Sequence, residues 1–171
     1  LYSSAASDVY KRQPPECLNP NVKSHNYLNL VLADLEVSGQ SDNAWSILLD
    51  TRGFLSEGIG SNLFLVCNGK LLTPRAEFVL DGVSRQAVFE LAASLGIEVL
   101  EEDLSIVDAE CAEEVFITST SFCICPARTY NDKQIGNGFV PGPITQLLTE
   151  AFCKLVHCDF VAQYVRTLDD A

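Results

Sequence analysis

Three short segments of the chain carry residue types that could do chemistry. Glu57 stands where a strand is expected to end, and Gly58 and Gly60 after it allow other atoms close to the backbone. Ser84 stands at an expected helix start, where free backbone amides can hold an anion. A run of hydroxyl residues, 118–121, follows another expected strand. The three segments therefore offer one carboxylate and two groups of anion-binding donors.

Each of these signals is weak when it is taken alone. A serine before a helix is most often only a helix cap, and a Ser/Thr run after a strand is usually a turn. By composition, Glu57 is a surface acid and Lys23 a solvated lysine at a helix start. The order in which the segments follow one another is therefore more informative than any one of them.

Hydrophobic periodicity predicts the elements that must position these residues. Helices are predicted over residues 23–38, 83–95, 106–111 and 143–156. Strands are predicted over residues 45–49, 54–57, 62–67, 70–73, 97–104, 114–118, 122–129 and 133–135. Gly39 is expected to end the first helix, and Asn68-Gly69 is expected to form a two-residue hairpin turn. Many strands with interspersed helices predict an α+β or α/β fold.

The first 22 residues differ in composition from the rest of the chain. Residues 1–13 (LYSSAASDVYKRQ) lack the apolar core of a signal peptide and resemble a translated cloning adaptor. We interpret them as a non-native leader and exclude them from the fold prediction. Residues 14–22 are proline-rich and predict an extended connector. The folded domain is therefore expected over residues 23–171.

Composition limits the classes of function. The chain of 171 residues is 47% hydrophobic and 20% charged, as folded proteins are. Its net charge of -12 argues against nucleic acid and anionic membrane surfaces as partners. No apolar run approaches the roughly 20 residues that a membrane helix needs. The seven cysteines lie mostly in apolar patterns without zinc-ligand spacing, which predicts buried reduced thiols, a cytoplasmic protein and no metal site.

Taken together and in order, the segments resemble the fold-type IV (class IV) pyridoxal-phosphate aminotransferases. The resemblance covers about residues 14–152 and is carried by KSHNYLNLVLA, GFLSEGIGSNLFLVCNGKLLTP, LDGVSRQAVFELAASLGIEV, EEVFITSTSFCICPAR and GNGFVPGPITQLLTEAF. It implies the large C-terminal domain of that family, a mixed β pseudo-barrel flanked by helices. The family's small N-terminal domain precedes the lysine, and we expect it to be missing here. The resemblance also implies a homodimer.

The resemblance assigns a role to each matching residue. It implies that Lys23 holds pyridoxal 5'-phosphate as a Schiff base and moves the proton during catalysis. Glu57 matches the carboxylate that keeps the pyridine nitrogen protonated. Val83 and Ser84 match the element whose amides and hydroxyl hold the phosphate, and Thr120 matches its second hydroxyl.

Four further positions have secondary roles. Tyr27 matches a residue near the cofactor's ring hydroxyl, with a core aromatic of the first helix as the equal alternative. The backbone amide of Ser121 matches a position near the substrate carboxylate. Asn62 is expected to support its loop, and Arg85 is expected to form an ion pair at a helix start.

The implied activity transfers an amino group between an amino acid and a 2-oxo acid. Branched-chain L-amino acids are the first expectation, although the K-S-H-N-Y spacing is nearer the D-amino-acid aminotransferase and aminodeoxychorismate lyase branches. An amine transaminase, a binding module and an inactive truncated fragment are further alternatives, and without the small domain we expect weak cofactor binding. A generic phosphate-binding domain lacks support, because no P-loop or G-x-G-x-x-G is present.

Overall fold

The structure, a computed structural model, describes residues 2–38 and 44–169. Its strands are β1 (Tyr2–Lys11), β2 (Ala44–Leu49), β3 (Leu55–Gly58), β4 (Ser61–Cys67), β5 (Lys70–Pro74), β6 (Val99–Glu102), β7 (Glu114–Ser119), β8 (Cys123–Tyr130) and β9 (Lys133–Gln134). Its helices are α1 (Leu28–Ser38), α2 (Val83–Ser94), α3 (Ile106–Cys111), α4 (Pro143–Val156) and α5 (Phe160–Asp169).

The strands form one mixed sheet that closes on itself. Their order is β3-β2-β1-β8-β7-β4-β5-β6, with β9 beside β8. Because β3 also pairs with β4, the strands β3, β2, β1, β8, β7 and β4 form a ring. Strand β1 is parallel to both of its neighbours and β5 is parallel to β6, while the other pairs are antiparallel. The predicted α+β fold with a barrel-like mixed sheet is confirmed.

Strand β4 is buried on both of its faces. Leu63 and Leu65 join one hydrophobic cluster with β2, β7 and α3. Phe64 and Val66 join a second cluster with helices α2 and α4. A strand that is covered on both sides needs a continuous apolar run, which explains the sequence NLFLVC. The sheet is therefore held at its centre by two cores rather than one.

Helix α1 begins five residues later than the periodicity predicts. The amide of Ser24 bonds to the carbonyl of Val22 at 2.7 Å, and that of Tyr27 bonds to His25 at 3.0 Å. These short-range bonds form tight turns and exclude the i to i−4 bonds of an α-helix. The predicted start at residue 23 is therefore wrong, and Lys23 stands in a loop before α1. Gly39, the predicted end of this helix, lies outside the described residues.

Other parts of the chain also differ from the expectations. Residues 14–22 form turns rather than an extended connector, since the Cys17 amide bonds to Pro14 at 2.9 Å and the Val22 amide bonds to Asn19 at 3.0 Å. Residues 2–11, excluded from the fold prediction, form β1 within the ring. That residues 1–13 are a non-native leader stays a prediction. The C-terminal region, for which no element was predicted, forms α5.

The cysteines are free but not buried as expected. Cys17, Cys111 and Cys158 are exposed, and the other four are half-buried. Within the described ranges, no group of three His, Cys, Asp or Glu side chains is arranged to hold a metal ion. None of the helices that the structure describes is long and apolar enough to cross a membrane.

Candidate active site

One cleft of about 200 Å³ brings most of the predicted site residues together. It lies where strands β3, β4 and β7 meet the start of α2. Its lining includes Lys23, Glu57, Ser61, Asn62, Val83, Ser84, Thr118 and Thr120. An adjoining depression shares Lys23 and Glu57 and adds Arg12 and Tyr27. Residues far apart in sequence thus line two adjoining hollows that share Lys23 and Glu57.

Strand pairing explains why three of these residues are neighbours. Glu57 on β3 is opposite Asn62 on β4, and Asn62 is opposite Thr118 on β7. Directly paired residues on adjacent strands have their side chains on the same face of the sheet. The register therefore places a carboxylate, an amide and a hydroxyl in one row across three strands.

Glu57 is a buried carboxylate with two fixed partners. Its side chain is 7% exposed, and Oε1 lies 2.7 Å from the Nε of Arg12. Oε2 accepts a hydrogen bond from the Leu80 amide at 2.8 Å. Burial raises the pKa of Glu57, and the Arg12 charge, the Leu80 amide and the Lys23 charge oppose that rise. The carboxylate is thus oriented toward the cleft in a poorly solvated setting.

Arg12 was missed by the sequence interpretation, which excluded residues 1–13. Its side chain is 10% exposed, and its backbone amide bonds to the Leu49 carbonyl at 2.7 Å. That bond continues the pairing of β1 with β2 and brings the guanidinium to Glu57. No local pattern marks Arg12, because its position depends on which strand lies beside β2.

Lys23 contributes an accessible amine. It is exposed in the loop before α1 and lines both the cleft and the adjoining depression. Among the described residues, the structure gives its amine no hydrogen-bond or ion-pair partner. The positive charge is close enough to Glu57 to lower the pKa of that carboxyl group. An exposed amine without a partner that lines the cleft is available to react with an electrophile.

The start of α2 is an uncapped helix N-terminus inside the cleft. Gly82 is the N-cap, and no side chain caps the helix. The first helical hydrogen bond runs from Gln86 to the Gly82 carbonyl at 3.0 Å, which leaves the amides of residues 83–85 without helical acceptors. These amides and the helix dipole favour a bound anion. Ser84 is buried beside them, whereas the Val83 side chain is exposed.

Asn62 holds the loop that leads into α2, as expected. Its Nδ2 donates to the Leu80 carbonyl at 2.8 Å, while the amide of the same residue, Leu80, donates to Glu57. A Cβ atom on Gly82 would overlap the side-chain oxygen of Asn62, so the loop requires glycine there. The uncapped start of α2 is therefore tied to the strand that carries Glu57.

Two buried hydroxyl groups in the cleft have no protein partner. Ser61 Oγ and Thr118 Oγ1 are fully buried and make no hydrogen bond within the described part of the chain. A buried hydroxyl without a partner costs about 1–3 kcal/mol, so such groups are uncommon, and a bound water, ion or ligand is among their explanations. Both residues line the cleft with Lys23 and Glu57. The donor set therefore fits a ligand with several polar groups.

The other two predicted residues are less central. Tyr27 is half-buried in the depression and also packs against the cluster of Leu30, Ala33 and Leu48. Ser121 is exposed in the β7–β8 turn and does not line the cleft. Its amide donates to Ser119 Oγ at 3.2 Å, so the turn itself uses the group that was expected to face a substrate.

Comparison with known proteins identifies a consistent set of relatives. The family described as Amino-transferase class IV matches residues 2–130. The chain is 40% identical over 131 residues to the branched-chain-amino-acid aminotransferase of Escherichia coli, covering 76% of this chain and 42% of that protein. It is 34% identical over 131 residues to the same-named protein of Pseudomonas aeruginosa, with the same coverage.

Solved structures agree with the sequence matches. A crystal structure of the Escherichia coli branched-chain amino acid aminotransferase superposes with a TM-score of 0.83 at 36% identity, over 89% of this chain and 50% of that one. A putative branched-chain amino acid aminotransferase from Thermotoga maritima gives a TM-score of 0.79 at 36% identity, with coverages of 88% and 53%. A third branched-chain amino acid aminotransferase, solved with pyridoxamine 5'-phosphate, gives a TM-score of 0.81 at 30% identity, with coverages of 89% and 50%. The chain spans about half the length of the relatives it matches.

Proposed function

This chain belongs to the class IV aminotransferases, and on that premise we propose that its cleft binds pyridoxal 5'-phosphate for transamination. The whole protein would transfer an amino group between an amino acid and a 2-oxo acid. The observation that carries the proposal is the meeting of a free lysine amine, a buried carboxylate and an uncapped helix start in one cleft. Related structures with pyridoxamine 5'-phosphate and N-(5'-phosphopyridoxyl)-L-glutamate support the choice of cofactor.

The polar groups of the cleft fit the three ends of this cofactor. Lys23 would bind the aldehyde carbon and Glu57 the ring nitrogen, while Val83, Ser84 and Thr120 would bind the phosphate. The uncapped start of α2 suits a dianionic group, and the unpartnered hydroxyls of the cleft suit a ligand with several acceptors. When bound, the cofactor supplies an electron sink for charge that develops on the substrate carbon.

Lys23 has two tasks in this proposal. Its amine would hold the cofactor covalently through the aldehyde carbon, with water as the leaving group. In the second task, the amine displaced by an amino substrate would accept the proton of the substrate α-carbon and would donate a proton to the cofactor carbon. The exposed loop before α1 gives the side chain freedom to move between the two atoms.

Glu57 holds a proton on the ring nitrogen. A buried carboxylate gains from a cationic partner, because burial disfavours its lone negative charge. Arg12 and the Leu80 amide keep the carboxylate in one orientation, so the second lone pairs of its oxygens stay available for the ring. A fixed carboxylate costs little reorganisation when charge develops on the substrate.

Two assignments rest mainly on family resemblance. Tyr27 would approach the ring hydroxyl, supported by its place in the depression beside Lys23 and Glu57. Ser121 would face the substrate carboxylate, although it does not line the cleft. A cytoplasmic homodimer is part of the same proposal.

Branched-chain L-amino acids are the proposed substrates, since the matched relatives carry that name. The spacing K-S-H-N-Y favours a second candidate, a lyase or a D-amino-acid or amine transaminase on the same scaffold. Supplying a branched-chain amino donor with and without a 2-oxo acid acceptor separates these activities. Turnover that needs the acceptor supports transamination, whereas pyruvate release from aminodeoxychorismate without an acceptor supports a lyase.

Borohydride trapping tests the lysine directly. The chain is incubated with pyridoxal 5'-phosphate, reduced and digested, and the labelled peptide is identified by mass spectrometry. We expect the label on Lys23, and we expect Lys23→Arg to abolish it. Lys70→Arg is the matched control, because Lys70 is exposed but remote from the cleft and pairs with Glu98. Label on another lysine would overturn the assignment.

A further inference from the structure

A buried arginine lies directly behind the anion-binding start of α2. The Arg85 side chain is 2% exposed, although it carries a positive charge. Its Nη1 donates to Asp81 Oδ1 at 2.9 Å, and its Nη2 donates to the Pro74 carbonyl at 3.2 Å. Nη2 also forms an ion pair with Glu101. One side chain therefore connects Asp81, two residues before α2, with the ends of β5 and β6.

The partners of Arg85 are themselves tied to the backbone nearby. Glu101 Oε1 accepts a hydrogen bond from the Ala76 amide at 3.0 Å, at the start of the loop from β5 to α2. Asp81 also accepts from the side chain of Gln86. The guanidinium lies 4.8 Å from the centre of the Phe89 ring, which supports its flat face. The loop of residues 75–82 is thus held at both ends by one network.

This geometry needs arginine rather than a general cation. Only a planar guanidinium offers several donors in fixed directions to two carboxylates and a carbonyl at once. A lysine at this position keeps the charge, but its single ammonium group cannot reach all three acceptors at once. Stability alone does not require the network, because well-packed apolar residues often replace buried ion pairs without loss.

We propose that Arg85, with Asp81 and Glu101, is a positioning residue that fixes the phosphate-binding start of α2. It makes no contact with the phosphate itself, and acts by holding the backbone of Val83 and Ser84 in place. A binding site must be held to about 0.5 Å to keep its affinity, so a looser helix start binds phosphate less well. The network thus sets the preference for the phosphorylated cofactor, and this inference rests on the proposed function.

The test compares two probes that differ only in the phosphate group. Dissociation constants for pyridoxal 5'-phosphate and for pyridoxal are measured by absorbance on the full chain. We expect the wild type to prefer the phosphorylated probe. We expect Arg85→Lys to reduce that preference about tenfold, the size of effect seen for outer partners of other binding sites, with the affinity for pyridoxal nearly unchanged. A merely structural role would weaken both probes equally.

Arg52→Lys is the matched control. Arg52 also pairs with two carboxylates, Asp50 and Asp103, and lies over the ring of Phe78, yet it lines no part of the cleft. Its variant should keep the wild-type preference. If Arg85→Lys does not fold, Glu101→Gln provides the test, since its side chain is 40% exposed, and the preference should fall about threefold.

Two different results identify which idea fails. If the wild type prefers the phosphorylated probe and Arg85→Lys or Glu101→Gln keeps that preference in full, the positioning role is wrong. Equal weakening of both probes also overturns it. If the wild type binds the two probes equally, the phosphate site of the proposed function is wrong, and the role of Arg85 falls with it.

Discussion

At the scale of single residues, the charge of Glu57 depends on the balance between burial and its partners. Burial raises its pKa above the ordinary value of 4.5, so the folded chain keeps the proton at pH values where the unfolded chain has lost it. The stability from this group is therefore complete below the ordinary pKa and is lost as the pH rises through the raised one. We expect Glu57→Gln to gain stability relative to wild type as the pH rises from the ordinary pKa of Glu57 to its raised pKa. Urea unfolding at a series of pH values measures this difference.

Removing Arg12 should raise the pH at which Glu57 loses its proton in the folded chain. Arg12 is the largest influence that lowers the pKa of Glu57, so in Arg12→Met burial acts with less opposition. Carbon NMR of labelled glutamate in the cofactor-free chain measures the titration midpoint of Glu57 directly. Glu90→Gln, an exposed change on α2, serves as the control for the unfolding series. Its unfolding free energy should differ from that of the wild type by an amount that does not change with pH. A Glu57 midpoint that falls in Arg12→Met would contradict this account.

The cysteines should differ in reactivity according to their exposure and charge state. Burial raises the pKa of Cys125 to about 11, so almost none of its reactive thiolate is present at neutral pH. Cys17, Cys111 and Cys158 are exposed. We expect iodoacetamide to label these three in the native chain and to spare Cys125, as read by mass spectrometry. The unfolded chain, in which all seven should react, is the control, and early labelling of Cys125 would count against its burial.

At the scale of elements, helix α4 is capped by a residue from a strand. Glu114 on β7 accepts hydrogen bonds from the amides of Ile144 at 2.9 Å and Thr145 at 2.8 Å. A Cβ atom on Gly142 would overlap the Glu114 side chain, so the close approach depends on glycine. The carboxylate thereby accepts hydrogen bonds from two free donors of the first turn, and its negative charge interacts favourably with the positive end of the helix dipole.

Glu114→Gln should destabilise the fold by about 1–2 kcal/mol, because an amide cannot accept both hydrogen bonds as a carboxylate does. Urea unfolding measures the change. The neighbouring Glu113→Gln is the control, since Glu113 is exposed and its side chain accepts a hydrogen bond from the Asn68 amide, and it should change stability by less than about 0.5 kcal/mol. Equal effects of the two changes would mean that the cap contributes nothing.

Elements whose conformation is set by residues close in the sequence were predictable. The hairpin of β4 and β5 turns at Asn68 and Gly69, whose φ values of 52° and 73° suit the primed turn that this dipeptide favours. Helix α2 follows Gly82, and α4 begins with proline at its first position. The segments that we propose to bind phosphate were recognisable for the same reason, because they consist of local turns and a helix start.

Elements whose position is set by contacts with distant parts of the sequence were not predictable. The apolar spacing of Tyr27 with later residues continues the helical pattern into a loop, which concealed the true start of α1. Strand β1 has mostly small and polar residues without alternation, and its place depends on β2 and β8. Arg12 and the partners of Arg85 at Pro74 and Glu101 depend in the same way on which strands lie side by side.

At the scale of the whole molecule, β1 closes the ring of strands. It is paired along its length with β2 and at its start with β8. Ala5, which is opposite Ser46, tests this closure. We expect Ala5→Pro to lower stability by about 2–4 kcal/mol, because proline removes an amide and resists the paired conformation, and Ala5→Ser, which keeps the amide, is the control. Circular dichroism during urea unfolding measures both, and an unaffected Ala5→Pro chain would support the interpretation of residues 1–13 as a leader.

The parallel pairing of β1 with β8 also fixes when the ring can form during synthesis. Tyr2 is in register with Ala127, a residue that is translated 125 positions later. At ordinary rates of translation this interval is on the order of ten seconds, during which β1 has no native partner on that side. The barrel therefore closes late and through non-local contacts, a topology that folds slowly. Until then the nascent chain carries an open strand edge, which makes the ribosome-bound stage the period when it is most exposed to association with other chains.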